Sequence, residues 1–196
     1  MKNDILTMKS PIFGLILAGG KSMRMGRDKA AIYYKGLPQL QRAFDLLQKH
    51  VDSCFISIRE PAYATNVRAH FPSIMDDVEL TGPAAGLRAA HRAYPEVAWF
   101  VLACDMPLLQ DDDIKELITA RTLDADGVVW TPNGIEIYPL CAVWEKKTLS
   151  QLNEIKDNHY RPLRSYLQNV VKLVTPHPDH FLNANIPADW ERLKKV

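Results

Sequence analysis

The chain is short of the features that mark several large classes of protein. It has only three cysteines, Cys54, Cys104 and Cys141, and each lies in an apolar segment. No Cys-x-x-Cys pair occurs, which argues against a zinc site or a disulfide framework. Reduced, buried thiols in a cytoplasmic protein are the expectation. No apolar run approaches the ~20 residues needed to cross a bilayer. The first ten residues are polar and mixed, without a signal-peptide core. Charge of one sign is missing too: 24 Lys and Arg stand against 23 Asp and Glu, a formal net charge of +1. That balance argues against a non-specific nucleic-acid or membrane-surface binder, which carries a broad basic patch. The six histidines show no metal-ligand spacing. Neither of two familiar phosphate motifs is present. A P-loop needs a glycine five positions before Gly20, where Leu15 stands, and the dinucleotide fingerprint needs a Gly-x-Gly triplet that the chain lacks.

What is there is a local concentration of positive charge. Ile12, Phe13, Leu15, Ile16 and Leu17 form an apolar run that reads as a buried strand of a parallel sheet. It opens into Ala18-Gly19-Gly20, where the backbone can bend sharply and approach a ligand. Four cations follow within nine residues: Lys21, Arg24, Arg27 and Lys29. Backbone N–H groups and cations together suit an oligophosphate. With 196 residues and 47% apolar content, one domain is expected over residues 11–196, behind a short N-terminal tail over 1–10.

Leu17-Ala18-Gly19-Gly20, then Ser22-Met23-Arg24-Met25-Gly26, then Asp28-Lys29 resembles the signature loop of nucleotidyltransferases. Within them it is most similar to the molybdenum cofactor guanylyltransferase family. Cytidylyl and sugar-nucleotide relatives more often carry Leu-Ala-Ala-Gly, and here Gly19 holds the third place. The resemblance extends from Gly14 to the last helix.

Further along, strands alternate with helical patterns, which predicts a three-layer α/β domain with a mostly parallel sheet. The resemblance makes this a Rossmann-like nucleotidyltransferase fold. A helix is expected from Gln39, a strand over Val51–Ile58, a short helix over Ala62–Ala69 and a weaker strand over Phe71–Met75. Gly82-Pro83 is a turn before a helix over Ala85–Tyr94, and its amides also suit a nucleotide. Val97–Ala103, apolar throughout, reads as a central strand covered on both faces. It runs into Cys104-Asp105-Met106-Pro107, and an Asp at the carboxyl end of a central parallel strand stands where ligands bind in open α/β sheets. Asp111, Asp112 and Asp113 read as the start of a helix, where carboxylates complement the macrodipole. Gly127–Thr131 and Tyr138–Trp144 read as a hairpin, with Pro139 suggesting an edge or bulged position. Val170–Val174 is the last expected strand, and a helix over Ala188–Lys195 closes the chain.

The resemblance implies a role for particular residues. Leu17, Ala18, Gly19 and Gly20 would line the nucleotide. Lys29 would reach the transferring phosphate and Arg24 the leaving pyrophosphate. Asp105 would hold Mg²⁺, bridging phosphate oxygens. Ser57, Asp77 and Gly82 align with nucleotide contacts, Ser57 standing where the family more often has asparagine. Pro139 lies in a strand that faces the acceptor in the family. Arg161 is read either as an acceptor-phosphate ligand or as a solvated cation. Asn183 and Asn185 are read either as hard oxygen ligands or as a turn before Pro187. The implied reaction transfers GMP from GTP to Mo-molybdopterin and releases pyrophosphate. The implied partners are GTP, Mo-molybdopterin, and proteins that deliver or receive the cofactor. Two alternatives remain open: a cytidylyl or sugar-1-phosphate nucleotidyltransferase of the same fold, and an inactive nucleotide-binding regulator.

Overall fold

A computed structural model describes residues 9–18, 28–59, 66–122, 124–156, 161–184, 189, 190 and 193. Gly19, Gly20, Lys21, Arg24, Arg27 and Asn185 lie outside the described residues, as does most of the expected closing helix.

Nine strands and four α-helices are formed by the described residues. In chain order they are β1 (Ile12–Leu17), β2 (Tyr33–Tyr34), β3 (Leu37–Pro38), α1 (Gln39–Leu47), β4 (Ser53–Ile58), β5 (Ser73–Met75), α2 (Pro83–Ala93), β6 (Ala98–Ala103), α3 (Asp111–Thr119), β7 (Gly127–Thr131), β8 (Cys141–Trp144), α4 (Lys146–Ser150) and β9 (Val170–Val174). Short 3₁₀ turns fill several connections, including Lys29–Ala31 and Asn66–Arg68. β2 and β3 form a separate hairpin; the other seven strands form one sheet in the order β5-β4-β1-β6-β8-β7-β9.

Among the described strands of that sheet, β8 alone runs against its neighbours: it pairs antiparallel with β6 and β7, and the other pairs are parallel. The expected mostly parallel α/β sheet is therefore present. The placement of Pro139 at an edge is not. β8 is an interior strand, and Pro139 precedes it in a turn whose carbonyl accepts a hydrogen bond from Trp144 Nε1 at 2.9 Å. Proline is tolerated there because the ladder begins only at Cys141.

Alternation along each strand builds two cores. Ile16, Ile56, Phe100, Leu102 and Trp130 face α1 and α3; Leu15, Trp99, Val101, Val129 and Trp144 face α2 and α4. Period-2 alternation within a strand that is apolar at every position requires both faces to be covered, and in β6 the first five residues are buried. Three tryptophans, Trp99, Trp130 and Trp144, are almost completely buried, and each supplies a large share of the apolar area that leaves water. α3 begins as expected: Asp113 accepts from Gln110 N–H at 2.8 Å, while Asp111 meets His50 and Asp112 meets Lys115.

The sheet has its switch point between β1 and β6. The chain moves outward from β1 to β4 and β5, then returns to the other side of β1 as β6. Leu17 is level with Ser57 on one side and Ala103 on the other, so the segments after β1, β4 and β6 leave the sheet at one height. Open α/β sheets bind ligands in such a crevice.

Candidate functional site

The crevice is built from three groups of residues around the carboxyl ends of β1, β4 and β6. At the centre, Lys29 Nζ lies 3.1 Å from Asp105 Oδ2. Lys29 stands there because Asp28 caps the turn Lys29–Ala31, its Oδ1 accepting from Ala30 N–H at 3.1 Å. Asp105 stands there because Pro107 stops β6 from continuing. The other carboxylate oxygen, Oδ1, is buried and accepts no hydrogen bond among the described residues. A buried oxygen left open is costly unless a ligand completes it. The Cys104 thiol beside it is pushed up to about 12, first by burial and then by the Asp105 charge, so it is no nucleophile at neutral pH.

On the β4 side, Ser57 is 2% exposed and its hydroxyl donates to Asp76 Oδ1. Asp76 follows β5 and is held by its N–H to Ile58 C=O at 2.8 Å. Burial pushes the Asp76 carboxyl above the usual range, against the Ser57 hydrogen bond and the Arg59 charge, which pull it down. Gly86, in the first turns of α2, must be glycine for this pair to exist, since a Cβ there would lie 2.5 Å from Ser57 Oγ. Gly82 caps α2 with φ 65°, a conformation that favours glycine, and turns the chain into the helix N-terminus.

Two of the expected nucleotide contacts make bonds within the protein. Ser57 is buried and holds Asp76. Asp77 is committed to the protein: Arg88 binds both its oxygens at 2.8 and 2.6 Å, and Arg92 adds a bond at 2.6 Å. Burial pushes the Asp77 carboxyl up, and the bonds from Arg88 and Glu79 N–H with the Arg88 and Arg92 charges outweigh it, leaving it below the usual range. Successive residues of an extended segment point to opposite sides, so the two neighbouring aspartates have different fates.

On the far side of β6, the antiparallel β8 brings its beginning to the same edge. Ala103 N–H donates to Leu140 C=O at 2.8 Å, which places the Pro139–Leu140 turn beside Asp105. Tyr138 stacks on Phe181 with ring centroids 4.9 Å apart. Ala184 N–H then donates to Asp105 C=O at 2.9 Å, so the exposed Asn183 is carried to the edge. Arg161 is exposed, and among the described residues no hydrogen bond or ion pair joins it to Lys29 or Asp105.

One residue of this edge has no sequence signature. Arg68 is 3% exposed; its Nε and Nη2 donate to Ala18 C=O at 3.1 and 2.8 Å, and its Nη1 and Nη2 reach both oxygens of Asp28. The expected helix over Ala62–Ala69 is seen only as the turn Asn66–Arg68, with residues 60–65 outside the described residues.

Among the described residues, no three His, Cys, Asp or Glu side chains gather as a metal site, and no helix is long and apolar enough to cross a membrane. The open Asp105 oxygen nonetheless fits Mg²⁺, which keeps one or two carboxylates and takes its other oxygens from substrate phosphates and water.

Comparison with known proteins places this geometry. The family model of the MobA-like NTP transferase domain matches residues 14–174. A probable molybdenum cofactor guanylyltransferase of Nostoc sp. is 30% identical over 89% of this chain and 86% of its own. A molybdenum cofactor biosynthesis bifunctional protein of Synechocystis sp. is 37% identical over 59% of this chain, which spans only 33% of that longer protein. The crystal structure of molybdopterin-guanine dinucleotide biosynthesis protein A from Archaeoglobus fulgidus superposes with a TM-score of 0.78 at 20% identity, covering 93% of this chain and 97% of the other. The match across 14–174 and the Nostoc relative show that the chain belongs to the MobA-like NTP transferase family, as a nucleotidyltransferase.

Proposed function

We propose that the protein transfers GMP from GTP to the phosphate of Mo-molybdopterin, giving a guanine dinucleotide cofactor and pyrophosphate. The observation that carries this reading is the incomplete Lys29–Asp105 pair at the switch point, with separate walls on its two sides. One wall is Ser57, Asp76 and Gly82; the other is Pro139 and Asn183.

An oxygen of the acceptor phosphate attacks the α-phosphorus of GTP. The bond from that phosphorus to the bridging oxygen breaks, and pyrophosphate leaves with the electron pair. The acceptor is already ionised, so no protein nucleophile is required, and the work is to bring two anions together in line. Lys29 neutralises the transferring phosphoryl group. Asp105 orients the Lys29 ammonium with one oxygen and offers the other to Mg²⁺. When bound, Mg²⁺ supplies positive charge to the phosphate oxygens. Leu17, Ala18, Gly19 and Gly20 line the phosphates, and Arg24 holds the leaving pyrophosphate. Pro139 and Asn183 face the acceptor, with Asn185 and Arg161 as further contacts.

The choice of guanine is supported by the names of the relatives and by Asp76. A carboxylate is an acceptor-only group, and guanine offers two donors, N1–H and N2–H₂, on one edge. Ser57 would hold that carboxylate toward the base.

The test is transfer itself. Purified protein, Mg²⁺ and Mo-molybdopterin are mixed with GTP, CTP or ATP, and dinucleotide product is followed. Product from GTP alone is expected. Product from CTP keeps the chemistry and overturns the base. Product only with a sugar 1-phosphate overturns the acceptor, and GTP binding without any product points to the regulator.

A further inference from the structure

Lys29 and Asp105 meet in the crevice from two separate segments, 76 residues apart in the chain. Helix α1 is bonded to both. On one side, Gln39 N–H donates to Ile32 C=O at 2.8 Å, which ties the start of α1 to the residue that ends the turn Lys29–Ala31. On the other, Arg42 Nη2 donates to Pro107 C=O at 3.2 Å, two residues past Asp105. The Arg42 guanidinium also lies 5.0 Å from the centre of the Tyr34 ring. Tyr34 is buried and belongs to the hairpin that follows the Lys29 turn. One planar cation therefore bridges the arm that carries Lys29 and the segment that carries Asp105.

We infer that Arg42 is a positioning residue that sets the approach of Lys29 to Asp105, and through it the grip of that pair on an oligophosphate; this rests on the reading of Lys29 and Asp105 as the groups that handle phosphate.

The two contacts of Arg42 differ in kind and call for one shape. A guanidinium lies against an aromatic ring and still offers donors at its rim to a carbonyl, whereas a lysine ammonium is a point charge on a flexible stem. The Asp105 segment has left the β6 ladder, and Pro107 has no N–H with which to anchor it. Ala184 N–H holds it from one side, at Asp105 C=O, and Arg42 holds it from the other, at Pro107 C=O. As packing alone the arrangement is expensive. Arg42 Nε and the Tyr34 hydroxyl are both buried without a hydrogen-bond partner among the described residues, and a buried polar group left unpaired lowers stability. Where Arg42 puts Pro107 and Tyr34 explains it better than what it adds to the core. A group displaced by about 1 Å from its phosphate loses much of its effect.

The test measures the affinity of the full chain for inorganic tripolyphosphate in Mg²⁺ by calorimetry, for wild type, R42Q, R42K, Y34L, K29A and the double variant R42Q/K29A. Tripolyphosphate carries no base and no acceptor is present. A wild type that binds it but transfers no GMP therefore overturns the guanylyl reading and leaves the Arg42 result readable. R42Q is expected to weaken binding about 10-fold, as for loss of one charge-assisted hydrogen bond. R42K should lose nearly as much, because an ammonium does not span ring and carbonyl together. Y34L should lose about 2- to 5-fold, the range for a cation–π contact. In the K29A background R42Q should cost no more than about twofold, because the group it positions is gone. The same fold-loss with and without Lys29 marks a merely structural role and overturns the inference. So does unchanged affinity in R42Q, or full rescue by R42K. A wild type that does not bind tripolyphosphate overturns it together with the reading of the pair. Should R42Q fail to fold, R42K and R42K/K29A complete the same cycle.

Discussion

Two carboxylate–cation centres lie a few residues from the same sheet edge, and they are built on opposite plans. In the Asp77 centre everything is matched. Arg88 is fully buried and gives bonds to Asp77, Glu79 and the Ile155 carbonyl, and Arg92 closes the remaining side. In the Asp105 centre one oxygen is bound to Lys29 and the other, though buried, has no partner among the described residues. A saturated buried ion cluster has nothing left to offer a ligand, and its removal is a matter of folding. An unsaturated one is costly to keep, and a ligand that completes it offsets that cost.

The contrast is broken most directly by exchanging the expected losses. Asp105→Asn and Lys29→Ala should each lower kcat by about 10²- to 10³-fold, the range for removing one preorganised electrostatic contact, with thermal stability nearly unchanged. Steady-state transfer and a melting curve on the same sample check both halves. An intact turnover in Lys29→Ala would sink its role. Arg88→Met should do the reverse. Stranding a buried Asp77 costs about 3–5 kcal/mol, a fall in Tm on the order of 10 °C for a chain of this size, while the folded protein at low temperature keeps its kcat.

The same variant sharpens the contrast through pH. The folded-state Asp77 carboxyl is lowered, so it contributes stability above its unfolded value near 3.8 that is lost as pH falls through the lower folded value. Denaturant melts between pH 5 and pH 2 should therefore show a steeper acid loss in wild type than in Arg88→Met. Asp76 gives the smallest effect and the opposite sign. Its folded carboxyl is raised, so ionising it costs stability as pH climbs past the unfolded value. Asp76→Asn is predicted to hold or raise Tm slightly at pH 7 while it narrows the preference for GTP over ITP, which lacks the N2 amine. A lower Tm with unchanged GTP/ITP preference would reassign Asp76 to the structural plan.

What was legible in the chain follows from the range of the interactions. Val170–Val174, Gly127–Thr131 and the apolar Ala98–Ala103 announce themselves by local pattern, and the structure has strands at each. Gly82 and the cations before Lys29 carry motifs of a few residues. Arg68 has no local signature because its partners lie 40 and 50 residues away. Asp76 and Asp77 could not be told apart by composition: only the side from which Arg88 reaches across, eleven residues on, decides which carboxylate is consumed. Pro139 signals an edge or a bulge by its missing N–H, and here it meets neither condition in the ladder because the strand starts two residues later.

The reversal of β8 has a consequence for how such an enzyme can change. A parallel strand hands its end to the working edge, and whatever follows must also cross back over the sheet. β8 hands over its beginning, so the stretch from Pro132 to Leu140 is a hairpin anchored by ladder bonds on β7 and β6 alike. Its tip is solvent-facing, with Ile135 81% exposed. Residues can be added or removed at that tip without shifting the register of any other strand, and the turn beside Asp105 can be reshaped while Ala18, Ser57 and Asp76 stay in place. The Pro139 side of the crevice is thus free to diverge on its own, and the Ser57 side is not.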